Sequence, residues 1–243
     1  MFESNLILVY FCIIIILQSI VGIGVLVLGT PFLLILGYNI IEALFVLLPI
    51  SITTSFINLI LINFSDRNLN KSTYREFKKF FKICIPSIFI GLIILRLFNE
   101  YLNFKFLVSI VIIFSITLVY LKDKIKFKIN FFRISILSLV GIIHGLTNSG
   151  GTLMSLALSV NNNKNYARLN TTFFYLILAS FQYLLTSMIF LKDFVIPNNL
   201  KLIVILIIGI FMGNIINYYI ESKIYKIIIN LLAVVSALVL LIN

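Results

Sequence analysis

The sequence predicts an all-α polytopic membrane protein, with about eight transmembrane helices in two repeated four-helix halves and broken helices at the first and fifth spans. Three observations predict it. Of 243 residues, 61% are hydrophobic and 11% charged, and mean hydropathy is +1.16; a soluble domain is nearer about 45–50% apolar and about 25% charged. Uncharged apolar runs recur at close to the ~20 residues a spanning helix needs. Two of these runs are overlong and interrupted by glycine. Helices are the reading because lipid admits only helices or closed barrels, and alternating ten-residue strands are absent.

Taken in order, the runs lie at 6–28, 40–62, 83–98, 104–121, 134–158, 169–191, 202–220 and 225–242. The chain opens Met-Phe-Glu-Ser-Asn with no basic n-region, and the apolar stretch that follows is too long for an h-region. It therefore reads as a retained membrane segment. Cys12 and Cys84 sit in or beside apolar runs, as buried apolar residues rather than a disulfide framework. The net charge of +11 falls in short connections, which marks topology rather than a nucleic-acid face. Arg67, Lys71, Arg75, Lys78, Lys79 and Lys82 follow the second run, and Lys122, Lys124, Lys126, Lys128 and Arg133 follow the fourth. Lys192 and Lys201 follow the sixth. On an eight-span count this side is cytoplasmic, and both termini lie there too.

The first and fifth runs carry the functional signal. From Ser4 to Ser65 the only charge is Glu42, so two ordinary spans leave about 20 residues over. That surplus holds Gly22, Gly24, Gly29, Pro31 and Gly37. From Ile134 to Asn163 only His144 is ionisable, and the stretch contains Gly141, Gly145, Asn148, Ser149, Gly150, Gly151 and Thr152. Paired glycine interruptions in two halves point to a transporter binding site. A helix restarting at membrane depth offers unpaired N–H groups and a positive dipole end, which suit an anion. Gly22, Gly24, Pro31, Asn148, Ser149, Gly150, Gly151 and Thr152 are therefore candidate substrate-binding residues.

Thr53 and Thr54 follow the first break, and Asn170 and Thr171 follow the second; their polar groups join the candidate list. His144 joins it as the one histidine, one turn before the second break, where it could couple a proton to transport. Gly209 and Gly213 in the seventh run form a small-xxx-small packing pattern. No metal-ligand cluster, cofactor motif, P-loop or paired carboxylate is visible, so an enzyme is not expected and transport would not use ATP hydrolysis. With four spans in each half, residues 1–125 and 126–243, the repeats are expected to be parallel.

The run Gly22-Ile-Gly24-Val-Leu-Val-Leu-Gly-Thr-Pro31-Phe-Leu-Leu-Ile-Leu-Gly37 resembles the first signature of the sulfite exporter TauE/SafE family, also called the toluene-sulfonate uptake permeases. Gly22, Gly24, Pro31 and Gly37 match its glycine-rich pattern, while Val25 and Leu26 stand where two glycines are usual. Gly141-x-x-x-Gly145-x-x-Asn148-Ser149-Gly150-Gly151-Thr152 is similar to the second signature, with Asn148 at a usual glycine position. The resemblance implies a plasma-membrane permease for small anions such as sulfite, thiosulfate or organosulfonates. The expected partners are that anion, a coupled proton through His144, and the lipid bilayer, with no nucleic acid. A membrane scaffold or assembly subunit with no transported substrate is the alternative.

Overall fold

The computed structural model describes residues 5–65, 71–125, 134–159, 164–190 and 200–242. Arg67, Lys126, Lys128, Arg133 and Lys192 lie outside these. The described residues form ten helices in the order α1 (Asn5–Val21), α2 (Val25–Ile35), α3 (Ile40–Ser65), α4 (Lys71–Phe98), α5 (Phe104–Ile125), α6 (Ile134–Thr147), α7 (Gly150–Ser159), α8 (Lys164–Ile189), α9 (Leu200–Tyr219) and α10 (Ser222–Ile242). No strand occurs among them. Stretches of α3, α4, α8 and α9 are long and apolar enough to cross a membrane, while α1, α2 and α6 are shorter apolar helices.

Local chemistry sets the helix ends. Asn39 and Glu42 form a reciprocal capping box at the start of α3: the Glu42 N–H donates to Asn39 Oδ1 at 2.8 Å, and the Asn39 N–H to Glu42 Oε2 at 2.9 Å. At the end of α2 the Gly37 N–H reaches the Leu34 carbonyl and the Tyr38 N–H the Leu33 carbonyl. That is a Schellman closure, which stops α2 before α3 begins.

The two breaks reverse the chain. Tyr10 in α1 stacks on Phe32 in α2 with ring centroids 3.6 Å apart, and its hydroxyl donates to the Leu28 carbonyl. Nearer the break, the Val25 N–H donates to Gln18 Oε1. Positions 10 and 18 thus face 32 and 25, so α1 and α2 are antiparallel. In α7, Gly150 lies directly against the Val140 carbonyl and His144 of α6. Were the chain to continue straight, residues 140 and 150 would be about 15 Å apart. Both expected breaks are present, between α1 and α2 and between α6 and α7; what differs is that at each break the chain folds back as a helical hairpin instead of continuing as one interrupted span. The cause is a left-handed residue after each first arm, Gly22 at φ 90° and Asn148 at φ 62°. Glycine adopts that conformation freely, and asparagine tolerates it better than most residues.

Around the hairpins, α1 runs parallel to α9, with Gly209 against Ile15 and Gly213 against Ser19 and Ile16. Likewise α4 runs parallel to α6, with Gly141 against Cys84 and Gly145 against Ile88. By contrast α3 and α8 are antiparallel: Ser51 lies beside Tyr175, while Leu61 shares a cavity wall with Lys164. Most of α2 is buried, whereas α9 leaves Ile203, Val204, Ile207, Ile208, Phe211 and Ile215 exposed. The hairpins and the helices α3 and α8 form the inside. The apolar outer surface of α4, α9 and α10 is what a helix turned towards lipid presents.

Candidate functional site

The first hairpin tip is tied down from three sides. Beyond accepting the Val25 N–H, the Gln18 amide donates to the Ser51 carbonyl at 2.9 Å and to the Ser55 hydroxyl at 3.0 Å, both on α3. The last carbonyls of α1 take side-chain donors. Arg168 Nη2 reaches the Ser19 carbonyl at 2.6 Å, Asn217 Nδ2 the Ile20 carbonyl at 2.7 Å, and the Tyr225 hydroxyl the Val21 carbonyl at 3.1 Å. Orphan C-terminal carbonyls are thereby satisfied, and the guanidinium sits at the negative end of the α1 dipole.

The second tip is held differently. Asn148 Nδ2 donates to Thr30 Oγ1 at 2.9 Å, joining this tip to the middle of α2. Gln182 Nε2 of α8 donates to the His144 carbonyl at 2.9 Å. The offset of 126 positions that relates Gly22 to Asn148 also relates Gln18 to His144. Both sit one turn before the reversal, but only Gln18 bonds across its own tip.

Tyr175 lies between the two returning arms. Its ring packs on Gly151 in the first turn of α7, and its centroid is 6.0 Å from that of His144. Its hydroxyl approaches the Leu26 N–H in the first turn of α2 and the Ser51 hydroxyl without completing a hydrogen bond to either. Thr172, one turn earlier on α8, faces Gly22.

Along α8 and at the second tip, several buried polar atoms have no hydrogen-bond partner: both ring nitrogens of His144, Asn148 Oδ1, the hydroxyls of Thr171, Thr172, Tyr175 and Thr186, and the side-chain oxygens of Asn170 and Gln182. Each such atom costs roughly 1–3 kcal/mol if left dry. Native cores leave few such atoms without a partner. Four of these atoms are hydroxyls that can donate, three are amide oxygens that only accept, and two are the His144 ring nitrogens; no carboxylate is among them.

Other expected site residues lie off the tips or spend their hydroxyls locally. Thr53 is exposed and donates back to the Pro49 carbonyl, and Thr54 donates to the Ile50 carbonyl, so both hydroxyls are spent within α3. Pro31 lies inside α2, beyond the break. The hydroxyls of Ser149 and Thr152 are spent on the carbonyls of Thr147 and Ser149. Gly22, Gly24, Gly150 and Gly151 form the tips and first turns themselves, and His144, Asn148 and Thr171 lie among the unpartnered groups. Gln18, Ser51 and Tyr175 were not singled out from the sequence, because one polar residue in an apolar helix has the look of ordinary interhelical glue; Thr172 belongs to the polar cluster that opens the sixth run with Asn170 and Thr171.

No metal-ligand cluster of His, Cys, Asp or Glu occurs among the described residues. No curated protein and no solved structure matches the chain. One family model does, that of the sulfite exporter TauE/SafE, over residues 6–240. The glycine signatures, the apolar helices and that match over nearly the whole length agree: the chain belongs to the sulfite exporter TauE/SafE family of membrane transporters.

Proposed function

We propose that the protein is a plasma-membrane permease that passes small anions, sulfur oxyanions or organosulfonates among them, between its two hairpins without ATP hydrolysis. The observation that carries this reading is the meeting of the first turns of α2 and α7 on Tyr175, with the unpartnered hydroxyls of Tyr175 and Thr172 beside the tips. Helix starts stabilise negative charge through N–H groups and dipole together. Thr171, Thr172 and Tyr175 add hydroxyl donors that suit an oxyanion. The test is counterflow in proteoliposomes loaded with sulfite, thiosulfate, a sulfonate or a carboxylate, with and without a pH gradient. Accumulation of a sulfur oxyanion above protein-free vesicles supports the reading. Absence of flux for every anion, with tight co-purification of another protein, would favour a scaffold.

The membrane arrangement that goes with this function has six crossings, α3, α4, α5, α8, α9 and α10, and two re-entrant hairpins. Each half, 1–125 and 126–243, then holds one hairpin and three crossings. An odd count inverts the second half, and the packing supports this: α1 with α9 matches α6 with α4, and α3 meets α8 antiparallel. Inverted repeats with discontinuous helices at their interface are a common transporter design. Orientation follows. Lys164, Arg168, Lys223 and Lys226 move to the side of the two large basic connections, leaving Arg96, Lys105, Lys192 and Lys201 opposite. The positive-inside rule then places the basic side in the cytoplasm and both termini outside. In a background lacking Cys12 and Cys84, Asn103→Cys is expected to react with an impermeant maleimide on intact cells, and Ser222→Cys only after permeabilisation. Labelling of Ser222→Cys from outside would restore the eight-span order.

A further inference from the structure

A cavity of about 460 Å³ opens between the end of α3, the start of α8 and the end of α9. Its polar wall is Lys164, Asn165, Arg168, Asn214 and Asn217; its apolar wall includes Phe211, Ile215 and Tyr218. We propose that it holds the headgroup of an anionic phospholipid, with the phosphodiester on Lys164 and Arg168 and the acyl chains along α9.

Among the described residues no carboxylate compensates the charge on the polar wall. Lys164 Nζ donates to the carbonyls of Asn217 and Ile220, both at 2.7 Å, which leaves one of its three protons. Arg168 uses Nε and Nη2 on the Ser19 carbonyl, Nη2 also on Asn214 Oδ1, and Nη1 on Asn217 Oδ1. One Nη1 proton remains. Every one of these acceptors is neutral. Neither cation meets a carboxylate among the described residues, so two positive charges sit side by side on a polar wall with donors to spare.

The other wall says what the anion is attached to. Phe211, Ile215 and Tyr218 are 55%, 59% and 79% exposed. In water such a face would be a liability; beside lipid it is an ordinary acyl-facing surface with a tyrosine at headgroup level. A free inorganic oxyanion would leave most of 460 Å³ unfilled. Basic pockets between helices on the cytoplasmic side are recurring lipid-headgroup sites. The charge chemistry does not depend on the transport reading; only the choice of leaflet rests on the orientation proposed above. Because Arg168 also holds the Ser19 carbonyl at the first hairpin tip, a lipid here would touch the element that carries the tip.

The test is native mass spectrometry of detergent-purified protein titrated with phosphatidylglycerol or phosphatidylcholine, each with and without inorganic phosphate. The wild type is expected to retain phosphatidylglycerol at least tenfold better. Lys164→Gln keeps a donor for the Asn217 and Ile220 carbonyls but drops the charge, and should lose about fivefold of that preference, the worth of one basic residue near an anionic surface. Lys164→Arg should keep it. Ile215→Asp should lose it too, without changing the elution volume. Equal retention of both lipids, a preference unmoved by Lys164→Gln and Ile215→Asp, or complete displacement by millimolar phosphate would each overturn the proposal.

Discussion

Replacing Tyr175 by phenylalanine is expected to lower anion counterflow roughly ten- to hundredfold while leaving the protein folded. The ring fills the space over Gly151 and packs near His144, and phenylalanine fills it equally. Only the hydroxyl goes. In the structure that hydroxyl is buried, has no hydrogen-bond partner, and points toward the Leu26 N–H and the Ser51 hydroxyl. Its removal therefore costs the empty protein no bond and relieves it of an unpaired polar atom. The purified variant should elute as the wild type does and melt no lower. A bound oxyanion, by contrast, would lose a donor in a site shielded from water, where that donor has no substitute. The two readouts separate the roles. A variant that transports normally would remove Tyr175 from the anion path, and one that melts well below the wild type would make the hydroxyl structural.

The position of both tips was visible in the sequence because lipid penalises loose backbone so heavily. A surplus of uncharged residues around Gly22 and around Asn148 had to be irregular chain buried in protein. The direction of the chain beyond each tip was not visible. α1 and α2 have 17 and 11 residues, and an apolar half-helix has the same composition whether it goes on across the bilayer or turns back. Hydropathy has no sign for direction. That single ambiguity sets the parity of crossings in each half, and through it the side assigned to Lys164, Arg168, Lys223 and Lys226. The left-handed conformation at position 22 was implicit in glycine, but at position 148 asparagine hid it. Tyr175 was illegible for a further reason: its role comes from α8 lying against both returning arms, a relation between helices far apart in the chain.

Gly145→Val is expected to prevent the protein from reaching a stable folded state. A Cβ at Gly145 would stand well inside van der Waals contact with the Ile88 carbonyl oxygen, and one at Gly91 would meet the Ile142 carbonyl oxygen in the same way. Both obstacles are backbone, so no side chain can swing aside, and α4 and α6 would have to separate along their whole contact. In a membrane such close packing of small residues is a main source of helix association, because lipid removes the hydrophobic drive between helices. Overpacking typically costs about 1–3 kcal/mol even where side chains can adjust; here the cost should lie at or beyond the upper end. Gly37→Ala is the comparison. Gly37 has a positive φ of 87° but open space around it, so alanine there adds backbone strain alone, about 1 kcal/mol. Size-exclusion profiles and melting of the detergent-purified proteins should show Gly37→Ala slightly destabilised and Gly145→Val aggregated or absent. The same crossing recurs between α9 and α1, where Gly213 meets Ser19 and the Ile16 carbonyl. If the halves are inverted copies, Gly213→Val should fail as Gly145→Val does, since positions 16 and 19 stand to Gly213 as 142 and 145 stand to Gly91. Wild-type melting of Gly145→Val would show that α4 and α6 lie farther apart, and wild-type melting of Gly213→Val alone would break the correspondence between the two halves.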